Sequence, residues 1–114
     1  MSKYVALLFQ SREKAHMYHL TTKSFAEHKA LQAYYEGIVP LADAYAEAYM
    51  GKYGRLKRFV IPRNTRTRVS ARAYFKSLLT RLRACKLPRD TYLKNIQDEI
   101  TALVRSTLYM LTLR

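Results

Sequence analysis

The chain has one cysteine, three glycines and three prolines in 114 residues, and each scarcity excludes something. A lone Cys85 cannot form an internal disulfide, and it offers no zinc-type cysteine spacing. So few glycines and prolines leave little turn chemistry, which predicts long regular elements joined by few connections. Apolar runs are also short. The stretch YVALLF near the N-terminus falls far below the roughly 20 residues of a membrane span. The n-region and cleavage pattern of a signal peptide are missing as well, so a cytoplasmic location and no membrane partner are expected. No Gly-rich phosphate loop or Ser/His/Asp pattern occurs.

The most informative absence is that of negative charge. Between Glu47 and Asp90 there is no acidic residue, while thirteen Lys or Arg fall in that interval. Elsewhere eight basic residues balance eight acidic ones, so the whole net charge of +13 belongs to this middle block. A one-sided field of this kind attracts a polyanion: DNA, RNA, an anionic membrane or an acidic protein. Residues 51–68 form its centre. Lys52, Arg55, Lys57, Arg58, Arg63, Arg66 and Arg68 are interleaved there with Tyr53, Phe59 and Asn64, and Arg72 and Lys76 continue the track at helical spacing. Contacts from such residues to phosphates give affinity without sequence readout.

What is present is helical periodicity. Four segments carry apolar residues at three-to-four spacing, over about residues 2–20, 24–50, 69–86 and 91–111. In the first, Val5, Leu8, Phe9, Ala15 and Tyr18 form a broad apolar face. The second opens on a capping box, Ser24-Phe-Ala-Glu27, and is expected to stop at Gly51 after a bend at Pro40. Val69, Leu78, Leu79, Leu82 and Cys85 point inward from the third. Leu93, Ile96, Ile100, Leu103, Thr107 and Met110 make the stripe of the fourth. The prediction is a single all-α domain over residues 1–114: a four-helix bundle with short 1–2 and 3–4 connections. A long basic crossover at 51–68 joins helices 2 and 3, the connectivity of ferritin-like bundles.

All three histidines, His16, His19 and His28, flank the first connection, and Glu36, Asp43 and Glu47 form one acidic stripe on the second helix. Asp43 lies fifteen residues from His28, about 22 Å along the axis, so one straight helix cannot bring both to a single ion. Two copies packed antiparallel about a two-fold axis near Glu36 and Gly37 would do so. A His/carboxylate set with open positions suits iron or another divalent ion.

The pattern His19, Phe25, His28, then Asp43-x-x-x-Glu47 resembles the Dps mini-ferritins, and more closely a small phage-encoded relative of them. The resemblance implies a ferritin-like bundle that assembles as a homo-oligomer, at least a dimer and in the fullest case a shell. It implies iron bound between subunits by His19, His28, Asp43 and Glu47, with ferroxidase activity and non-specific DNA binding. His16, Gln32 and Glu36 are weaker candidates for the ligand set. Two departures stand out. His19 is three residues closer to His28 than in the family, where His16 has the family's separation. Gln32 stands where the family has an Asp. The alternative is a non-enzymatic basic helical protein with a lapsed metal site: a nucleic-acid-binding, virion or host-interaction protein. For a phage product the location is the host cytoplasm.

Overall fold

A computed structural model describes residues 2–62 and 69–113. Among them there are four α-helices and no strand: α1 (Ser2–Thr21), α2 (Phe25–Tyr53), α3 (Ala71–Ala84) and α4 (Thr91–Met110). The expected all-α bundle is present. Its longest dimension, 44 Å, is that of α2, whose 29 residues span about 43 Å at 1.5 Å per residue.

The connections set the helix directions. A three-residue turn folds α2 back on α1. Ser24 caps α2 by accepting the Glu27 N–H at 3.2 Å. The other half of the expected capping box is replaced, because the Ser24 N–H donates to Thr22 Oγ1 at 3.1 Å. α2 runs unbroken through Pro40 and past Gly51 to Tyr53. The left-handed cap is Gly54, at φ 89°, whose N–H donates to the Met50 carbonyl at 3.0 Å. Gly51, the expected stop, has no need of a positive φ, so a second glycine three residues on took the role.

From Gly54 the chain returns along the bundle. The Gln10 side chain donates to the Pro62 carbonyl, and the Tyr18 hydroxyl donates to the Val69 carbonyl at 2.8 Å. α3 therefore starts at the end of the bundle where α1 finishes, and runs parallel to α2. Ser70 caps it through the Ala73 N–H at 3.1 Å. It is shorter at both ends than the apolar pattern implied, because Cys85 leaves the helical region at ψ 133°. α4 then runs antiparallel to α2, with Leu103 against Gly37 and Gln97 donating to the Tyr45 hydroxyl at 3.1 Å.

Helix contacts are α1 with α2, α2 with α4, α4 with α3, and α3 with α1. Among the described residues the backbones of α2 and α3 stay apart on one diagonal of the bundle, and their core side chains meet at the centre, Tyr34 edge-on to Phe75 with ring centres 4.7 Å apart; α1 and α4 occupy the other diagonal. The core is built from Leu7, Leu8, Tyr34, Ile38, Tyr45, Phe75, Leu78, Leu93, Ile100 and Val104, all essentially inaccessible. Five consecutive α1 residues, Tyr4 to Leu8, are buried, which a helix with one apolar face cannot achieve. α2 and α3 cover two sides, and the crossover covers a third, with Phe59 edge-on to Phe9 at 6.3 Å between ring centres. On α4 the buried position is Val104, while Met110 of the expected stripe is exposed.

Among the described residues the buried Gln10 Oε1 and Tyr74 hydroxyl have no hydrogen-bond partner, whereas Ser11 and Tyr34 satisfy each other. The Ser11 hydroxyl donates to the Leu8 carbonyl at 2.6 Å. Tyr34 must then donate to Ser11 Oγ, 2.7 Å away, and burial pushes its phenol far above the ordinary value. Tyr34 and Tyr45 are core residues, held neutral by their surroundings.

Candidate functional site

The three histidines meet at the α1–α2 turn. His19 Nδ1 lies 2.7 Å from the His28 carbonyl, and His28 Nδ1 lies 2.8 Å from the His19 carbonyl. A carbonyl only accepts, so each Nδ1 carries a proton and donates it to the other residue's backbone. The rings stack with centres 3.6 Å apart at 18°. His16 stacks on Tyr35 at 4.4 Å, and the Arg12 guanidinium lies 5.7 Å from that same ring. The reciprocal bonds have an immediate structural use. His19 lies in the last turn of α1, where a carbonyl has no intrahelical donor, and the His28 imidazole supplies one. A helix end is thereby capped by the next helix.

The carboxylates of the resemblance lie elsewhere. Asp43 and Glu47 are exposed on the opposite half of α2, about 22 and 28 Å from His28 along its axis. Glu36 is also exposed, and one of its oxygens accepts from Gln32 Nε2 at 3.0 Å. Among the described residues no three His, Cys, Asp or Glu side chains converge as a metal would need. One chain thus brings His16, His19 and His28 together, and Asp43 and Glu47 together, without joining the two sets. Iron does not fit the donor set of a single subunit. Gly37 also has a use inside the chain: a Cβ there would meet Leu103 Cδ2 at 3.3 Å. The glycine lets α2 and α4 approach closely.

The basic block divides into three parts. Arg55, Lys57 and Arg58 on the crossover and Arg72 and Lys76 on α3 are exposed. Arg63, Arg66 and Arg68 lie outside the described residues. Lys52 is engaged, and is the exception to the expected cationic track. Its ammonium pairs with Asp90 and sits 5.4 Å from the Tyr53 ring. Hydrogen bonds from Lys52 and then Tyr53 hold the Asp90 carboxyl below its ordinary range. Asp90 occupies the N-cap position of α4, yet makes no side-chain cap bond. Its carboxylate instead ties the C-terminal end of α2 to the start of α4.

Arg83, one helical repeat beyond Lys76, completes an exposed stripe with Arg72 and Lys76, separated by Ala73, Ser77 and Thr80. It went unselected because the sequence reading ended the track at Lys76; its i+7 spacing from Lys76 was the available signal. Arg81 faces the other way, 5.7 Å from the Tyr74 ring. The bundle therefore has electrical sides. α2 turns Glu36, Asp43 and Glu47 outward, and the diagonally opposite α3 turns only cations outward.

No described helix is long and apolar enough to cross a membrane. No solved structure matches the chain. A relative of 25% identity over 111 residues, covering 97% of this chain and 87% of the relative, is the uncharacterized 14.6 kDa protein in the mobD-ri intergenic region of Enterobacteria phage T4. Residues 19–111 match DUF5856, a family of unknown function. That span runs from the histidine staple to the end of α4, and the chain belongs to this family.

Proposed function

We propose that this is a non-enzymatic, phage-encoded helical protein that binds the phosphate backbone of nucleic acid in the host cytoplasm. The supporting observation is the acid-free cationic surface formed by Arg55, Lys57 and Arg58 on the crossover and Arg72, Lys76 and Arg83 on α3. None of these six cations is in an ion pair among the described residues, and exposed like charges focus a positive field and release counterions when phosphates replace those ions. The sequence has no recognition-helix motif, so the recognition proposed is of the backbone. Titration of duplex DNA and of RNA at several salt concentrations tests this. Affinity for one or both should fall steeply with salt. Replacing Arg72, Lys76 and Arg83 by Ala should lower the slope of log K against log salt by about three units. Binding that ignores salt, or is unchanged in that variant, refutes the α3 surface.

A second reading is favoured by connectivity: antiparallel helix pairs joined by a connection that returns along the bundle, as in ferritin-like proteins. In it two copies pair through α2 near Glu36 and Gly37, and the combined His19, His28, Asp43 and Glu47 bind iron, with Dps-like storage and DNA binding. Metal analysis separates the two readings. Stoichiometric iron that disappears in a His28→Ala/Asp43→Ala variant would favour the ferritin-like account; no retained metal alongside intact nucleic-acid binding favours the first.

A further inference from the structure

The outward charges of α2 and α3 share one spacing. Taken from Arg72, the α3 cations Lys76 and Arg83 follow at +4 and +11. Taken backwards from Glu47, the α2 carboxylates Asp43 and Glu36 follow at the same four and eleven residues. On each helix these positions fall within a stripe about 40° wide and about 16 Å long. We propose that the α2 face of one copy docks antiparallel on the α3 face of a second copy, setting Glu47 opposite Arg72, Asp43 opposite Lys76 and Glu36 opposite Arg83. This goes beyond nucleic-acid binding and does not depend on it.

Three features of the molecule support that occupant. All six side chains are exposed, and none forms an ion pair among the described residues. Pro40 on α2 and the half-buried Leu79 on α3 lie within the two stripes, flanked by the small Ala44 and Ala73, so apolar contact accompanies the ion pairs. Self-pairing of α2 with α2 would leave the α3 cations Arg72, Lys76 and Arg83 without a counter-charge, whereas α2 on α3 pairs both sets.

Because α2 and α3 lie on opposite corners of the bundle, one copy can present both faces at once. The contact is heterologous: it joins head to tail and grows into a ring or an open chain. The net charge of +13 opposes association at a distance. Beyond about 10 Å that repulsion is screened at 0.1 M salt, whereas the apposed charges are closer than that. Where α3 is covered by a neighbour, Arg55, Lys57 and Arg58 on the crossover stay available to phosphate.

Sedimentation velocity on nucleic-acid-free protein provides the test. Wild-type protein should show mass rising with concentration at about 0.1 M salt, and a monomer at about 1 M. The variants Glu36→Lys/Asp43→Lys/Glu47→Lys and Arg72→Glu/Lys76→Glu/Arg83→Glu should each be monomeric, because each carries like charges on both faces. Mixed in equal amounts, they should associate again, since each then offers the sign its partner lacks. Circular dichroism verifies that both stay helical; if either unfolds, the single exchange Asp43→Lys with Lys76→Asp is read in the same way. Wild-type protein that stays monomeric at 0.1 M, or a mixture that does not reassemble, overturns the proposal. So do variants that associate as well as wild type. Lost salt-dependent DNA binding with assembly intact would instead sink only the nucleic-acid reading.

Discussion

α2 and α3 sit at opposite corners of the same bundle and run in the same direction, yet their outer surfaces differ in sign. Inward they are alike: Tyr34, Ile38 and Tyr45 from α2, and Phe75, Leu78 and Leu82 from α3, fill one core. Outward, α2 shows Glu36, Asp43 and Glu47, and α3 shows Arg72, Lys76 and Arg83. The inner faces answer a packing requirement that any four-helix bundle shares. The outer faces carry no packing duty, so their segregated charge points to what the molecule meets.

The largest effects should come from breaking what the two helices share. Ile38→Ala on α2 and Leu78→Ala on α3 each remove a fully buried side chain and should cost about 2–5 kcal/mol in chemical denaturation. A much smaller loss in one of them would mean that helix is not part of a common core. Next is the histidine pair that ties α1 to α2 and has no counterpart on α3. His28→Ala removes the donor to the His19 carbonyl and the stacked ring, and should cost about 1–2 kcal/mol, with faster hydrogen exchange confined to the α1–α2 turn. Protection lost evenly along both helices would contradict a local cap. Tyr34→Phe removes the hydrogen bond to Ser11 and keeps the packing; a loss of about 1 kcal/mol is expected, because Ser11 retains its bond to Leu8.

The Asp90 contact that ties α2 to α4 sharpens the comparison through pH. Its carboxyl is held below the ordinary value, so its stabilisation is present above the unfolded-state pKa and lost as pH falls through the folded one. Asp90→Asn should therefore be less stable than wild type at neutral pH, with the gap closing as the pH falls below about 4. A gap that persists in acid would assign the loss to something other than charge. The smallest effect is expected on the outer faces. Lys76→Ala should change stability by no more than about 0.5 kcal/mol, while its contribution appears in the salt slope of nucleic-acid binding. A large stability loss would make Lys76 a structural residue and weaken the binding surface.

Much of the fold was legible in the sequence because burial imposes the 3.6-residue period on each helix in turn. The cap at Ser24 follows from local chemistry of the same kind, whereas Ser70, the cap of α3, fell inside the expected helix that began near Val69. Helix ends were less legible. Gly51 and Gly54 are chemically equivalent stops, and the choice between them depends on how far α2 can run before α4 covers it. The apolar face expected for α1, Val5, Leu8, Phe9, Ala15 and Tyr18, leaves out Tyr4, Ala6 and Leu7, because sequence contains no sign that the crossover lies over a third side of this helix. The histidines stood out as a cluster, but their mutual Nδ1–carbonyl bonds required the turn geometry. A metal-ligand pattern and a helix-capping pair look the same when only spacing is available. Lys52 was counted among the free cations, since Asp90, its partner, is thirty-eight residues away in the chain.

By itself the sequence determined an all-helical chain with a positive middle block, because helical period and charge are properties of neighbouring residues. Tertiary structure alone decided that the α3 cations of this block face away from the acidic stripe, that Gly37 serves α4 and that the histidines close a turn. Each of those depends on which helices become diagonal and which adjacent. That arrangement is set by long-range packing and by the returning crossover, whose free energy no local segment contains.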